Sequence, residues 1–151
     1  MYELLDHYLG LPFNDWYAKW DSFVDARLEG GKTALAQLQE TPAEVGPSRP
    51  LASYAGTYRD PWYGDVVVSE RGGGLWIDFT STPRMKGPLV HHQYDTFRTE
   101  LTDEAIENAL VTFQLDARGA VDRVKMIASS PLADFSYDYH DLDLLPVKEA
   151  Q

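Results

Sequence analysis

The chain has 151 residues, 44% of them hydrophobic and 13% aromatic, which is enough for one ordinary core and short of what two would need. Its 24 acidic residues against 13 basic give a net charge of −11, so a phosphate backbone or an anionic membrane surface is repelled, and neither nucleic acid nor membrane is an expected partner. Without cysteine there is neither a disulfide nor a Cys-ligated zinc, and the compartment stays open.

The opening Met1-Tyr2-Glu3-Leu4-Leu5-Asp6 lacks the basic region and apolar run of a signal peptide. No segment reaches the roughly 20 apolar residues of a membrane helix, so a soluble chain is expected. It starts inside a helical pattern, which suits a piece of a longer protein. Tyr2 to Leu9 predicts a short helix closed by Gly10 and Pro12, and Asn14 or Asp15 offers the cap for a second one. In that second helix Trp16, Trp20, Phe23, Val24 and Leu28 recur at helical spacing, away from most of the charged positions, so one face wants a partner. Gly30-Gly31 is expected to break or kink it before Leu35 and Leu38 resume the pattern and Pro42 stops it. Residues 1–40 thus form a helical arm.

Residues 41–50 (TPAEVGPSRP) hold three prolines and a glycine with almost no large apolar side chain, which is linker chemistry. Beyond them, over residues 51–145, the period changes to two. Val66 and Val68 alternate with Asp65 and Ser69; Leu75, Ile77 and Phe79 with Trp76 and Asp78; Val111, Phe113 and Leu115 with Thr112 and Gln114. Tyr54 to Tyr58, Arg84 to His91, Gln93 to Glu100, Val121 to Ala128 and Asp134 to Asp141 bring the count to about eight strands. Tight reversals at Pro61-Trp62-Tyr63-Gly64, Arg71-Gly72-Gly73-Gly74, Asp116-Ala117-Arg118-Gly119 and Ser130-Pro131 favour an antiparallel meander. Such a meander closes into a barrel or, alternatively, packs as an open sandwich. Asp103 to Ala109 reads as a helical turn or a long acidic loop.

Tyr54-Ala55-Gly56-Thr57-Tyr58, Asp60-Pro61-Trp62-Tyr63-Gly64, Tyr94-Asp95-Thr96-Phe97, Val111-Thr112-Phe113-Gln114-Leu115-Asp116 and Asp134-Phe135-Ser136-Tyr137 follow one another in an order and spacing that resemble a known family. It is the lipocalin-like C-terminal domain of unknown function appended to serine β-lactamase-like hydrolases, the relatives of penicillin-binding proteins. The resemblance spans roughly residues 51–142. It implies an eight-stranded lipocalin-like barrel, a connecting role for residues 1–40, and serine hydrolase chemistry on a partner domain whose active site the barrel covers or helps to assemble. The motifs agree: such sites need Ser-x-x-Lys, because one helical turn brings the amine to the hydroxyl, and no serine here has Lys at that distance. Lys32-Thr33-Ala34 only imitates a Lys-Thr-Gly strand, with alanine where glycine lets substrate approach.

His91 and His92 with Asp95 form the obvious candidate for a metal or a general base. Neighbouring strand residues point to opposite faces and no third ligand is apparent, so no metal or cofactor is expected. Asp60, Asp65, Asp78 and Asp95 invite comparison with paired glycosidase carboxylates, but turn capping accounts for them, and Asp60 before Pro61 reads as turn initiation. Aromatics are the more informative set. Phe135, Tyr137 and Tyr139 are expected on one strand face, and Tyr54 and Tyr58, bracketing Gly56, are expected to plug one end. The expected ligand-lining residues are Trp62, Trp76, His92, Tyr94, Phe113 and Tyr137, inside the barrel.

The expected architecture is therefore a mainly β, eight-stranded antiparallel lipocalin-like barrel preceded by an N-terminal helical segment. Its expected function is that of a non-catalytic accessory domain of a serine β-lactamase-like hydrolase, and the alternative is a free-standing carrier of a small apolar ligand. The helical arm is expected to dock on the barrel's own wall or on a second copy of the chain.

Overall fold

Residues that alternate one inward and one outward from Gly56 onward become strands in the structure, a computed structural model that describes residues 2–40, 45–131, 133 and 138–147. The strands are β1 (Gly56–Asp60), β2 (Gly64–Arg71), β3 (Gly74–Phe79), β4 (Lys86–Gln93), β5 (Thr96–Thr99), β6 (Ala109–Leu115), β7 (Val121–Ala128) and β8 (Leu145–Pro146). From β1 to β7 each pairs antiparallel with the next, and β8 returns to β1, giving the order β7-β6-β5-β4-β3-β2-β1-β8. Val124 and Leu144 exchange backbone hydrogen bonds of 2.9 and 3.3 Å, drawing β7 toward the start of β8. The sheet is thereby a nearly closed barrel, which leaves little unpaired edge.

Inward positions carry the core: Tyr58, Val66, Val68, Ile77, Phe79, Leu89, Val111, Val124 and Met126 are all buried. A cluster of rings fills one half. Phe113 lies 5.0 Å from Tyr54, 5.9 Å from Tyr58 and 5.7 Å from Phe97, in tilted or edge-on contacts that suit the aromatic quadrupole. Tyr54 and Tyr58 do plug that end, but Tyr54 belongs to a 3-10 helix, Leu51–Tyr54, and the strand expected to include it starts only at Gly56. The Tyr58 hydroxyl donates to the Tyr54 carbonyl at 2.7 Å, and burial pushes the phenol up to about 12.

Two expectations about local structure are corrected. The second helix does not break at Gly30-Gly31: α2 runs from Trp16 to Glu40, after α1 at Tyr2–Tyr8. A helical glycine costs only about 1 kcal/mol, and here the Glu29–Lys32 ion pair at 2.7 Å and a Thr33 hydroxyl bond to the Glu29 carbonyl brace the same turn. Where the last expected strand, 134–141, would end, Tyr139–Asp141 forms a 3-10 helix, and residues 134–137 lie outside the described residues. There Tyr139 turns inward to bury its ring and donates its hydroxyl to the Glu107 carbonyl at 2.5 Å.

Asp15 caps α2 as expected, accepting the Ala18 N–H at 2.9 Å. The aromatic stripe stays uncovered: Trp20 is 66% and Phe23 56% exposed, so the barrel wall is not the partner of this face. Trp16 instead donates its indole N–H to Asp6 and packs its ring 5.4 Å from Tyr2, tying α1 to α2.

Candidate functional site

Alternating turns divide the barrel into two ends. At one end residues 45–50, part of the expected linker, are strapped down chiefly by one carboxylate. Asp95, in the β4–β5 turn, accepts the Ser48 N–H at 2.9 Å, faces the Ser48 hydroxyl at 2.8 Å, and accepts the Tyr54 hydroxyl; Tyr94 N–H reaches the Val45 carbonyl. Burial pulls the Asp95 carboxyl up, and the Tyr54 and Ser48 donors more than offset it, leaving it below the usual carboxylate range. A depressed folded value means that its stabilisation is complete above the unfolded value of about 3.9 and is lost as pH falls through the folded value. Asp95→Asn is accordingly expected to lower the urea midpoint at neutral pH and to converge with the parent as the pH falls below the depressed folded value. A gap that stayed constant as the pH fell would mean that the carboxylate's charge is irrelevant to the strap.

The other end is open. Here the chain leaving β5 crosses over Gly87, and a Cβ on Gly87 would meet the Glu100 carbonyl oxygen at 2.2 Å and the Leu101 Cα at 2.8 Å. This close crossing lets Leu101 enter the core. Asn108 then holds the acidic 100–108 segment, a loop with no helix, by accepting the Leu101 N–H at 2.9 Å. Across the mouth, buried Asp60 accepts the N–H groups of Trp62 (2.7 Å), Tyr63 (3.1 Å) and Asp143 (2.9 Å), so the turn-initiating role read from Asp60-Pro61 extends to fastening the segment before β8. Burial pulls the Asp60 carboxyl up, but these three donors and the Lys125 charge bring it below its ordinary value.

Between these loops lies a cleft of about 210 Å³, with Tyr63 from the β1–β2 turn, Met85 from the β3–β4 loop, Ile106 from the β5–β6 loop, and Asp138, Tyr139 and Leu142 from the segment before β8. Tyr139 and Leu142 are buried and form its apolar floor; Tyr63 and half-buried Asp138 supply polar groups at its rim. A wider groove of about 700 Å³ lies on the arm, bordered by Tyr2, Trp16, Tyr17 and Trp20 with Glu3 and Lys19.

The expected ligand-lining residues do not come together. Phe113 is in the plugged half of the core, whereas Trp62 stands 93% exposed at the tip of the β1–β2 turn. Trp76 is on the outward face of β3 under the Arg71 guanidinium, 5.1 Å from the ring centre, and its buried indole N–H has no partner among the described residues. His92 is the extra residue of a bulge between His91 and Gln93, which ends the alternation that would have aligned it with Tyr94; Tyr94 itself sits exposed in the turn at φ 49°. Tyr137 and Phe135 lie outside the described residues. Met85, Ile106, Asp138 and Leu142 carried no signal in the sequence, because four separate loops deliver the cleft.

His91 turns its ring to Phe97 at 5.3 Å and places Nε2 2.8 Å from the Tyr94 carbonyl, a structural arrangement. Among the described residues no group of three His, Asp or Glu side chains could hold a metal ion. Asp65 pairs with Arg59 through both of its oxygens, and Asp78 stands opposite Lys86 on the outer wall, so the carboxylates weighed as an acid–base pair are dispersed.

No curated protein matches the sequence. A crystal structure of the C-terminal domain of penicillin binding protein Rv0907 is similar to this chain with a TM-score of 0.51 and 26% identity, over 72% of this chain and 94% of that one. The profile of a domain of unknown function, DUF3471, matches residues 40–146, the greater part of the sequence, and the chain belongs to that family.

Proposed function

We propose that the chain is a non-catalytic accessory module of a serine β-lactamase-like hydrolase, and that it covers or shapes the partner's active site or aids its assembly. The observation that carries this reading is the likeness to the C-terminal domain of a penicillin-binding protein over nearly all of that domain's length. The helical arm supports it, since residues 2–39 precede the stretch matched by the family and present an exposed aromatic face. Burying such side chains returns about 25 cal/mol per Å², several kcal/mol for a pair of tryptophans, and the surface of a partner catalytic domain is the natural cover.

The coding sequence around the chain tests the proposal: a Ser-x-x-Lys domain is expected in the same protein, and a genome without one would overturn it. Given that domain, Trp16→Ala with Trp20→Ala is expected to weaken its association with this chain by tenfold or more while leaving the melting of the isolated barrel unchanged. The chain alone is expected to turn over no chromogenic β-lactam. Turnover abolished by replacing one serine would instead show that the chain is itself the enzyme.

A further inference from the structure

We infer that the open mouth of the barrel is a binding site for a small organic cation, an ammonium group carried on a compact apolar body. Size and lining set the body. The cleft of about 210 Å³ accommodates a ring or a short branched chain, and its floor of Tyr139, Leu142 and Met85 offers no charge. The sign of the head group follows from Asp138. This carboxylate is half-buried at the rim, yet among the described residues its oxygens accept no hydrogen bond, cap no helix and pair with no cation. The basic group of the β3–β4 loop, Arg84, is engaged by Asp103.

A carboxylate partly withdrawn from water without a partner carries part of the desolvation cost of a buried charge, and a bound ammonium offsets it. Tyr63 and Tyr139 add aromatic rings to the same cleft, and rings favour a cation over an anion or a neutral group. The Tyr63 hydroxyl, which has no hydrogen-bond partner among the described residues, is a further acceptor at the rim. The net charge of −11 raises the local concentration of any cation and disfavours an anionic ligand of the same shape. The site is independent of any catalytic partner, since every residue it uses belongs to this chain's own loops.

The test uses the full chain and three probes of similar size, benzylammonium, benzyl alcohol and benzoate, followed by NMR at the methyl groups of Met85 and Ile106. Benzylammonium is expected to shift both signals saturably, benzyl alcohol to bind at least tenfold more weakly, and benzoate not to bind. Asp138→Asn is expected to weaken benzylammonium at least tenfold with little effect on benzyl alcohol, and Tyr63→Ala to weaken both. Raising the salt concentration reads the same charge contact in the unaltered protein, and benzylammonium affinity should fall as it rises. The proposal is overturned if no probe shifts those methyls, if benzoate binds as well as benzylammonium, or if benzylammonium binding is indifferent to both salt and Asp138→Asn.

Discussion

Gly87→Ala is expected to destabilise the barrel by more than about 3 kcal/mol, a large part of the roughly 5–15 kcal/mol that holds a domain of this size together. The cause is space. Gly87 faces inward on β4, and the added methyl would point at backbone, the Glu100 carbonyl at 2.2 Å and the Leu101 Cα at 2.8 Å, which no side-chain rotation can relieve. Relief requires lifting the β5–β6 crossing away from β4, which withdraws Leu101 from the core and breaks the 2.9 Å bond from the Glu100 N–H to the Pro88 carbonyl. The fitting control is Gly30→Ala on α2, where a Cβ meets nothing within 4 Å and alanine is the better helix former. Denaturant melts of both variants check the claim, and it fails if Gly87→Ala unfolds within about 1 kcal/mol of the parent.

Phe113→Ala should cost about 3–5 kcal/mol, the range for removing a large ring from a packed interior. Its ring touches those of Tyr54, Tyr58 and Phe97, so the deletion opens a void where the 3-10 helix, β1 and β5 converge. The loss is expected to spread to the strap, because Tyr54 is positioned both by this packing and by its bond to Asp95. Faster amide exchange at Ser48 would report that spread. Trp62→Ala, at the exposed tip of the β1–β2 turn, is expected to change stability by no more than about 0.5 kcal/mol. If the two variants melted alike, the core would not be organised around Phe113.

How far the sequence leads depends on whether a property is local or is assembled from distant parts. Period-two alternation is local, since each inward Val, Ile or Phe repeats every second residue whatever the strand pairs with, and β2, β3, β6 and β7 fall where that pattern puts them. The turn glycines are local too: Gly64, Gly72, Gly73 and Gly119 all adopt positive φ at the expected reversals. The cap at Asp15, the aromatic plug and the family resemblance were legible for the same reason.

The sequence misled where tertiary contacts override local preference. A bulge at His91–Gln93 shifts the parity of β4 and removes His92 from any shared face with Tyr94. Burial of the Tyr139 ring, with its hydroxyl on Glu107, goes with a 3-10 helix over Tyr139–Asp141 where the end of a strand was expected, and α2 passes through two glycines without a break. The site is the extreme case. The mouth cleft is made of residues from four loops separated by up to about eighty positions, and only closure of the sheet, which brings the loops to one end of the barrel, places Asp138 beside Tyr63 and Met85. Residue spacing determined which side chains face the interior, whereas the geometry of closure decided which of them meet.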